Sequence, residues 1–278
     1  MAKQAPCCRF VQIADVHYVV PPHPRLDWPQ LAERLPQQVR VTEMIDTMLP
    51  LALAQIHADL QPDFIIYTGD QVNAGWDEAG LANQQGFQAL LAECDSDGAP
   101  VYCTFGNHDR PRERFLELYG TSTYSFACNG CHFAVLDSGL MNEEQGIDPP
   151  EIFDAGLQEL RDMLASADGA PAAVILHFYL YPSDLEGYSY RAAHEAIEII
   201  KSYGRRVPVL DGHYHAGRVD VVNNAPYFTA RSFIESPFAF YLHELTDERL
   251  VINEYCLDLA NQRWSGYRKC VFELGGLS

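Results

Sequence analysis

The sequence predicts an α/β protein of two packed β-sheets flanked by helices, and three observations carry that expectation. Up to about residue 210, short apolar runs alternate with amphipathic helical stretches. The remainder is β-rich, with apolar runs separated by turn residues. Five polar clusters each follow an apolar run: Asp15-Val16-His17, Gly69-Asp70, Gly106-Asn107-His108-Asp109, His177 and Gly212-His213-Tyr214-His215. Loops at the carboxyl ends of strands gather ligands in such folds, so the five can converge.

Taken in order, residues 10–14 read as a buried strand with Asp15 at its end. Residues 18–38 hold prolines at 21, 22, 24, 29 and 36 and read as a long, lid-like loop leaving the first cluster. Residues 41–60 are helical by pattern (Met44, Ile45, Met48, Leu51, Ala52, Ile56), with Pro50 kinking or dividing the helix. A strand at 63–68 leads to Gly69-Asp70, a helix spans 82–94, and a strand at 101–105 delivers Gly106 to Asp109. Residues 124–127 and 132–137 form a hairpin across Asn129-Gly130. Leu157, Leu160 and Leu164 mark an amphipathic helix, and a strand at 172–176 ends at His177. A helix at 192–203 carries Ile197 and Ile200 on one face, and a strand at 207–210 feeds the last cluster. The tail reads as strands at 218–222, 227–233, 238–244 and 250–257, with turns at Asn223-Asn224 and near Asp247. With no repeat or linker, residues 1–278 read as a single domain.

Composition narrows the function. The net charge of −19, from 19 basic and 38 acidic side chains, disfavours a nucleic acid polymer as partner. No stretch approaches the roughly 18 apolar residues that a membrane span requires. Without a visible secretory signal, the expectation is a cytoplasmic chain whose eight cysteines are thiols. Cys128-x-x-Cys131 straddles the hairpin turn and lacks a second pair, so it reads as structural rather than zinc-binding.

Each cluster alone is weak: a single His after an apolar run is commonly a core histidine, and Gly-Asp is commonly a turn. Together they supply carboxylate, amide and imidazole donors without sulfur, which suits manganese, iron or zinc in a catalytic setting. Two metals held side by side activate water and neutralise phosphate oxygens during in-line displacement.

The whole set, over about residues 9–233, resembles the calcineurin-like metallophosphoesterase superfamily. The resemblance implies a four-layer αββα sandwich of two mixed sheets, with the site at the carboxyl ends of the strands. It implies that Asp15, His17 and His215 hold one metal, that Asn107, His177 and His213 hold the other, and that Asp70 bridges them. The two ions would be divalent or mixed-valence, and a hydroxide bridging them would attack phosphorus. His108 would stay free of metal and assist the leaving group, work suited to imidazole. Departures narrow the branch. Asp70-Gln71-Val72-Asn73 lacks the Asp-Arg-Gly continuation of protein phosphatases, and Asp109 stands where they place Glu. Asn73 replaces the Tyr of purple acid phosphatases and the His of double-strand-break nucleases. The layout is closer to the small-molecule branch that includes class III cyclic-nucleotide phosphodiesterases.

The expectation is therefore hydrolysis of a small-molecule phosphate ester, a phosphodiester in preference. Phosphomonoesters and nucleotide pyrophosphates are the alternatives on the same site, and a catalytically silent scaffold is the non-enzymatic one. Candidate substrate contacts are Arg110, Tyr18, His23 and Tyr179, each with a packing or solvated-charge alternative. Arg112 and Arg114 share that charge run. Asn73 and Asp109 are candidates to support the ligands from behind.

Overall fold

The computed structural model describes residues 8–22, 24–37, 40–94, 98–137, 154–181 and 193–275. The chain enters through β1 (Cys8–Ile13), α1 (Trp28–Arg34), α2 (Ile45–Gln55), β2 (Phe64–Tyr67), α3 (Gly80–Cys94) and β3 (Val101–Cys103). It continues through α4 (Arg112–Tyr119), the hairpin β4 (Tyr124–Cys128) and β5 (Cys131–Val135), then α5 (Asp154–Ser166), β6 (Ala172–Ile175), α6 (Ala193–Ser202) and β7 (Val209–Asp211). Five antiparallel-rich strands close it: β8 (Ala216–Val222), β9 (Ala225–Arg231), β10 (Phe240–Leu245), β11 (Arg249–Asp258) and β12 (Arg263–Glu273).

These strands make two six-stranded mixed sheets, ordered β12-β11-β10-β1-β2-β3 and β4-β5-β6-β7-β9-β8. Period-two alternation sorts their side chains between separate cores. In β2, Phe64 and Ile66 enter the core between the sheets, whereas Ile65 and Tyr67 face the core shared with α2 and α3. In β6, Ala173 and Ile175 face the inter-sheet core, and Ala172 and Val174 face α5 and α6. Three cores between four layers follow, as the αββα expectation requires. The inter-sheet core centres on Phe10, Phe64 and Phe133, with Phe10 and Phe64 stacked at 4.7 Å between centroids.

The parallel strands β1, β2, β3, β6 and β7 all end on the side where the five clusters lie. Both anticipated turns have the left-handed backbone that tight hairpins need, with φ of 48° and 79° at Asn129-Gly130 and 52° and 61° at Asn223-Asn224. No described helix is long and apolar enough to cross a membrane. None of the described cysteines forms a disulfide, and Cys128 and Cys131 are cross-strand partners in the hairpin.

Three expectations need correction. Residues 18–38 are not all loop: Asp27 and Gln30 form a capping box that starts α1, whose Leu31 is buried against the α2 side of the first sheet. Pro29 fits because the first turn of a helix needs no backbone donor there. Pro50 does not divide its helix; α2 runs through it and widens into a π-helical turn only at Ile56–Leu60. The edge strand β12 is absent from the sequence reading, because an exposed edge lacks the apolar alternation that marks an inner strand.

Candidate metal centre

Each predicted ligand sits within a few residues of a strand end, and the backbone there is unusual. Asp15, His17, Asp70 and His213 all have positive φ, between 47° and 65°. Such strain on non-glycine residues persists only where the surroundings hold it, and it gathers at functional sites. Glycine makes the remaining room. Gly69 has φ of 86°, and a Cβ there would lie 2.2 Å from His177 Nδ1. A Cβ on Gly106 would lie 2.2 Å from the Asp70 amide nitrogen and 2.4 Å from its carboxylate.

The side chains converge as two groups. Asp15, His17 and His215 place ligand atoms within 4.8 Å of one another, and Asp70, His177 and His213 do the same. Asn107 Oδ1 lies 2.9 Å from His177 Nε2, which adds the amide to the second group. Asp70 stands between the groups, with Oδ1 3.3 Å from His177 Nε2 and Oδ2 3.6 Å from His17 Nε2. His17 Nε2 and His215 Nε2 face each other at 3.2 Å. His108 also approaches Asp70 and His17. Its Nδ1 makes a short hydrogen bond to the Asn73 carbonyl oxygen.

The groups behind the ligands set their tautomers. His177 Nδ1 donates to the Thr68 carbonyl at 2.9 Å, and His215 Nδ1 to the Glu235 carboxylate at 2.7 Å. Both partners can only accept, so Nδ1 carries a proton and Nε2 of each ring faces the site. Asp15 accepts from the His213 amide, and Asp70 accepts from the His108 amide at 2.7 Å. Asp109 ties the loops together by accepting from the amides of Asp70 and Gly106 at 2.9 Å and of Val72 at 3.2 Å.

Burial and mutual attraction shift the charged groups of this pocket in opposite directions. Burial pushes the Asp15 carboxyl up to about 7, against the pull of His177 and His215. Burial would also raise Asp70, but His177 and His108 outweigh it and hold that carboxyl well below its ordinary value. His177 is held up at about 9, because Asp70 outweighs its burial. Burial drives His17 well down and keeps it neutral, as a ligand imidazole must be. Buried carboxylates beside imidazole nitrogens, an oxygen and nitrogen donor set, fit a pair of hard or borderline divalent ions.

The predicted substrate contacts fare unevenly. Arg110 lies at the site, with Nε 2.7 Å from the Asn107 carbonyl and its guanidinium 4.4 Å above the Trp76 ring. Tyr18 does not line the site: it is buried, packs against Phe87 and pairs its backbone with Val72. Tyr179 is also buried, edge-on to Tyr214. Its neighbour Phe178 backs the His213 ring at 4.1 Å. His23 and residues 182–192 lie outside the described residues. Arg112 is taken up by Asp137 and Ser122, and Arg114 by the Gly75 carbonyl. Asn73 supports His108 through its main chain, while its side chain accepts from Arg40. Glu235, Arg40 and Trp76 went unread in the sequence, because they lie outside every cluster and follow no motif.

The calcineurin-like phosphoesterase profile matches residues 8–217. No curated protein matches the chain. Among solved structures, a dimetal phosphatase from Danio rerio superposes with a TM-score of 0.72 at 18% identity, covering 97% of this chain and 100% of that one. Wild-type Vps29 complexed with zinc, from Entamoeba histolytica, reaches a TM-score of 0.40 at 13% identity, covering 95% of this chain and 99% of that one. A conserved phosphoesterase-like protein from Streptococcus pneumoniae reaches 0.40 at 10% identity, covering 98% and 99%.

Proposed function

Because the chain belongs to the calcineurin-like phosphoesterase family and is a metal-dependent phosphoesterase, we propose that it hydrolyses a small-molecule phosphodiester at the Asp70 centre. The observation that carries this reading is the Asp70 carboxylate, placed between two trios of ligand-type side chains. Asp15, His17 and His215 would hold one divalent ion, Asn107, His177 and His213 the second, and Asp70 both. Bound there, the ions supply an activated water and neutralise the phosphoryl oxygens.

The chain's own residues supply the rest. With Nδ1–H committed to the Asn73 carbonyl, His108 in its imidazolium form presents Nε2–H to a leaving oxygen and gives up that proton as the ester bond breaks. Arg110 and Arg40 stand at the rim as anion contacts, Arg110 fixed by the Asn107 carbonyl. The diester preference rests on the motif pattern, in which Asp109 follows His108. Monoesters and nucleotide pyrophosphates are the competing substrates, and a silent scaffold is disfavoured by the complete donor set.

A panel of bis-p-nitrophenyl phosphate, p-nitrophenyl phosphate, cyclic nucleotides, glycerophosphodiesters and ADP-ribose, each with added manganese, tests the proposal. Turnover of diesters above monoesters and pyrophosphates is expected. A faster monoester or pyrophosphate would move the assignment, and no turnover with bound metal would restore the scaffold.

A further inference from the structure

Trp76 is a large apolar side chain left 48% exposed, and its position distinguishes it from an ordinary surface residue. Its ring centroid lies 5.3 Å from that of His108, at the edge of the candidate centre. Its backbone is pinned to the same loop that carries His108. The Gly75 amide donates to the His108 carbonyl at 2.8 Å, and Arg114 Nη1 donates to the Gly75 carbonyl at 2.5 Å. The two segments touch so closely that a Cβ on Gly75 would lie 2.2 Å from the Arg110 carbonyl oxygen. Arg110 covers one face of the ring with its guanidinium carbon 4.4 Å from the centroid, and its Nε is itself anchored to Asn107. The ring is thus held in place, wet, and beside the histidine that would serve the leaving group.

We propose that Trp76, braced by Arg110, is a stacking platform for a flat aromatic group carried by the phosphate ester, such as a nucleobase or an aryl ring. The inference rests on the phosphoesterase reading above and names the class of substrate it selects. A planar π-face recognises aromatic rings without requiring particular hydrogen-bonding edges, and the adjacent guanidinium strengthens a stack through its charge. A sugar or glycerol ester would lack the flat aromatic face that stacks on the indole. The platform therefore sorts substrates by what the phosphate carries.

The test compares adenosine monophosphate with ribose monophosphate, which share sugar and phosphate and differ by the base. Binding of each to the manganese-loaded chain is measured by calorimetry and by quenching of tryptophan fluorescence. The base is expected to tighten binding by about tenfold or more. That advantage is expected to vanish in Trp76→Ala and Trp76→Leu and to survive in Trp76→Phe, because Leu restores apolar surface but not a flat face. Equal binding of the two ligands, or an advantage that persists in Trp76→Ala, overturns the proposal. Hydrolysis of bis-p-nitrophenyl phosphate by the same wild-type preparation separates the two failures. Intact hydrolysis without a base advantage removes the platform alone, and absent hydrolysis with no ligand binding removes both readings.

Discussion

At the scale of single residues, what each histidine can do is set by what holds its other nitrogen. His108 and His215 both turn Nδ1 away from the site, yet one faces a carbonyl and the other a carboxylate. A carboxylate raises the basicity of a ligand imidazole and orients it, so Glu235 would support His215 in the proposed metal trio. Glu235→Ala is expected to weaken metal binding by about 10- to 100-fold, measured by competition with a chromogenic chelator. An unchanged affinity would show the contact to be incidental. His108 calls for the opposite result. His108→Ala is expected to keep its metal content while turnover falls by about 10²- to 10⁴-fold, read by elemental analysis and steady-state rates on one preparation. Normal turnover would remove its assigned role. Both histidines were legible as residue types in glycine-containing clusters. Glu235 was not, because its partnership depends on a contact made across the end of β9.

Among the elements, Asp109 ties the loop after β2 to the loop after β3. Its carboxylate is buried beside Asp70, which together with burial pushes its pKa well above the ordinary value. Three backbone amides from two loops repay that cost. Asp109→Ala would strand those donors, each at about 1–3 kcal/mol if buried without a partner. A loss of at least about 3 kcal/mol in unfolding free energy is expected, with weakened metal retention. Chemical denaturation checks it, and a loss below about 1 kcal/mol would show that water or neighbouring groups replace the carboxylate. The elements also show where reading by pattern succeeds. The inner strands, the amphipathic α5 and α6, and both hairpin turns follow from apolar period and turn chemistry. The exposed β12 carries no such period, and α1 begins inside a proline-rich stretch whose capping box is decided by Asp27 and Gln30.

For the whole molecule, the buried charges of the centre link stability to pH, and bound metal would shift that link. Without cations, Asp15 titrates at about 7 when folded against 3.8 when free, so the folded chain holds a proton that the unfolded chain has released. Stability then falls as pH rises between those values. His177 titrates at about 9 against 6.5, so its contribution is full below 6.5 and is lost as pH rises towards 9. Asp70 is shifted the other way, and its contribution is lost only as pH falls well below its ordinary value. His17, held neutral by burial, works the opposite way below 6.5, so the chelated protein is expected to lose melting temperature from about pH 6.5 to pH 9. Added manganese should raise the melting temperature, most at the alkaline end, since bound cations replace the protons. Thermal melts across pH, with and without manganese, check this, and a flat profile after chelation would contradict the coupling.

By itself, the sequence determined the architecture's periodic parts, the family and the candidate donors. Apolar period is a local property of the chain, and ligand-type side chains in glycine-bearing clusters are written in order along it. The tertiary structure alone decided which side chains stand behind the ligands, that Tyr18 packs inward against Phe87, and that Trp76 stands beside His108 under Arg110. Those outcomes depend on which loop meets which when two sheets close over a shared core. Such contacts join residues far apart in the chain through neighbours that no local pattern encodes.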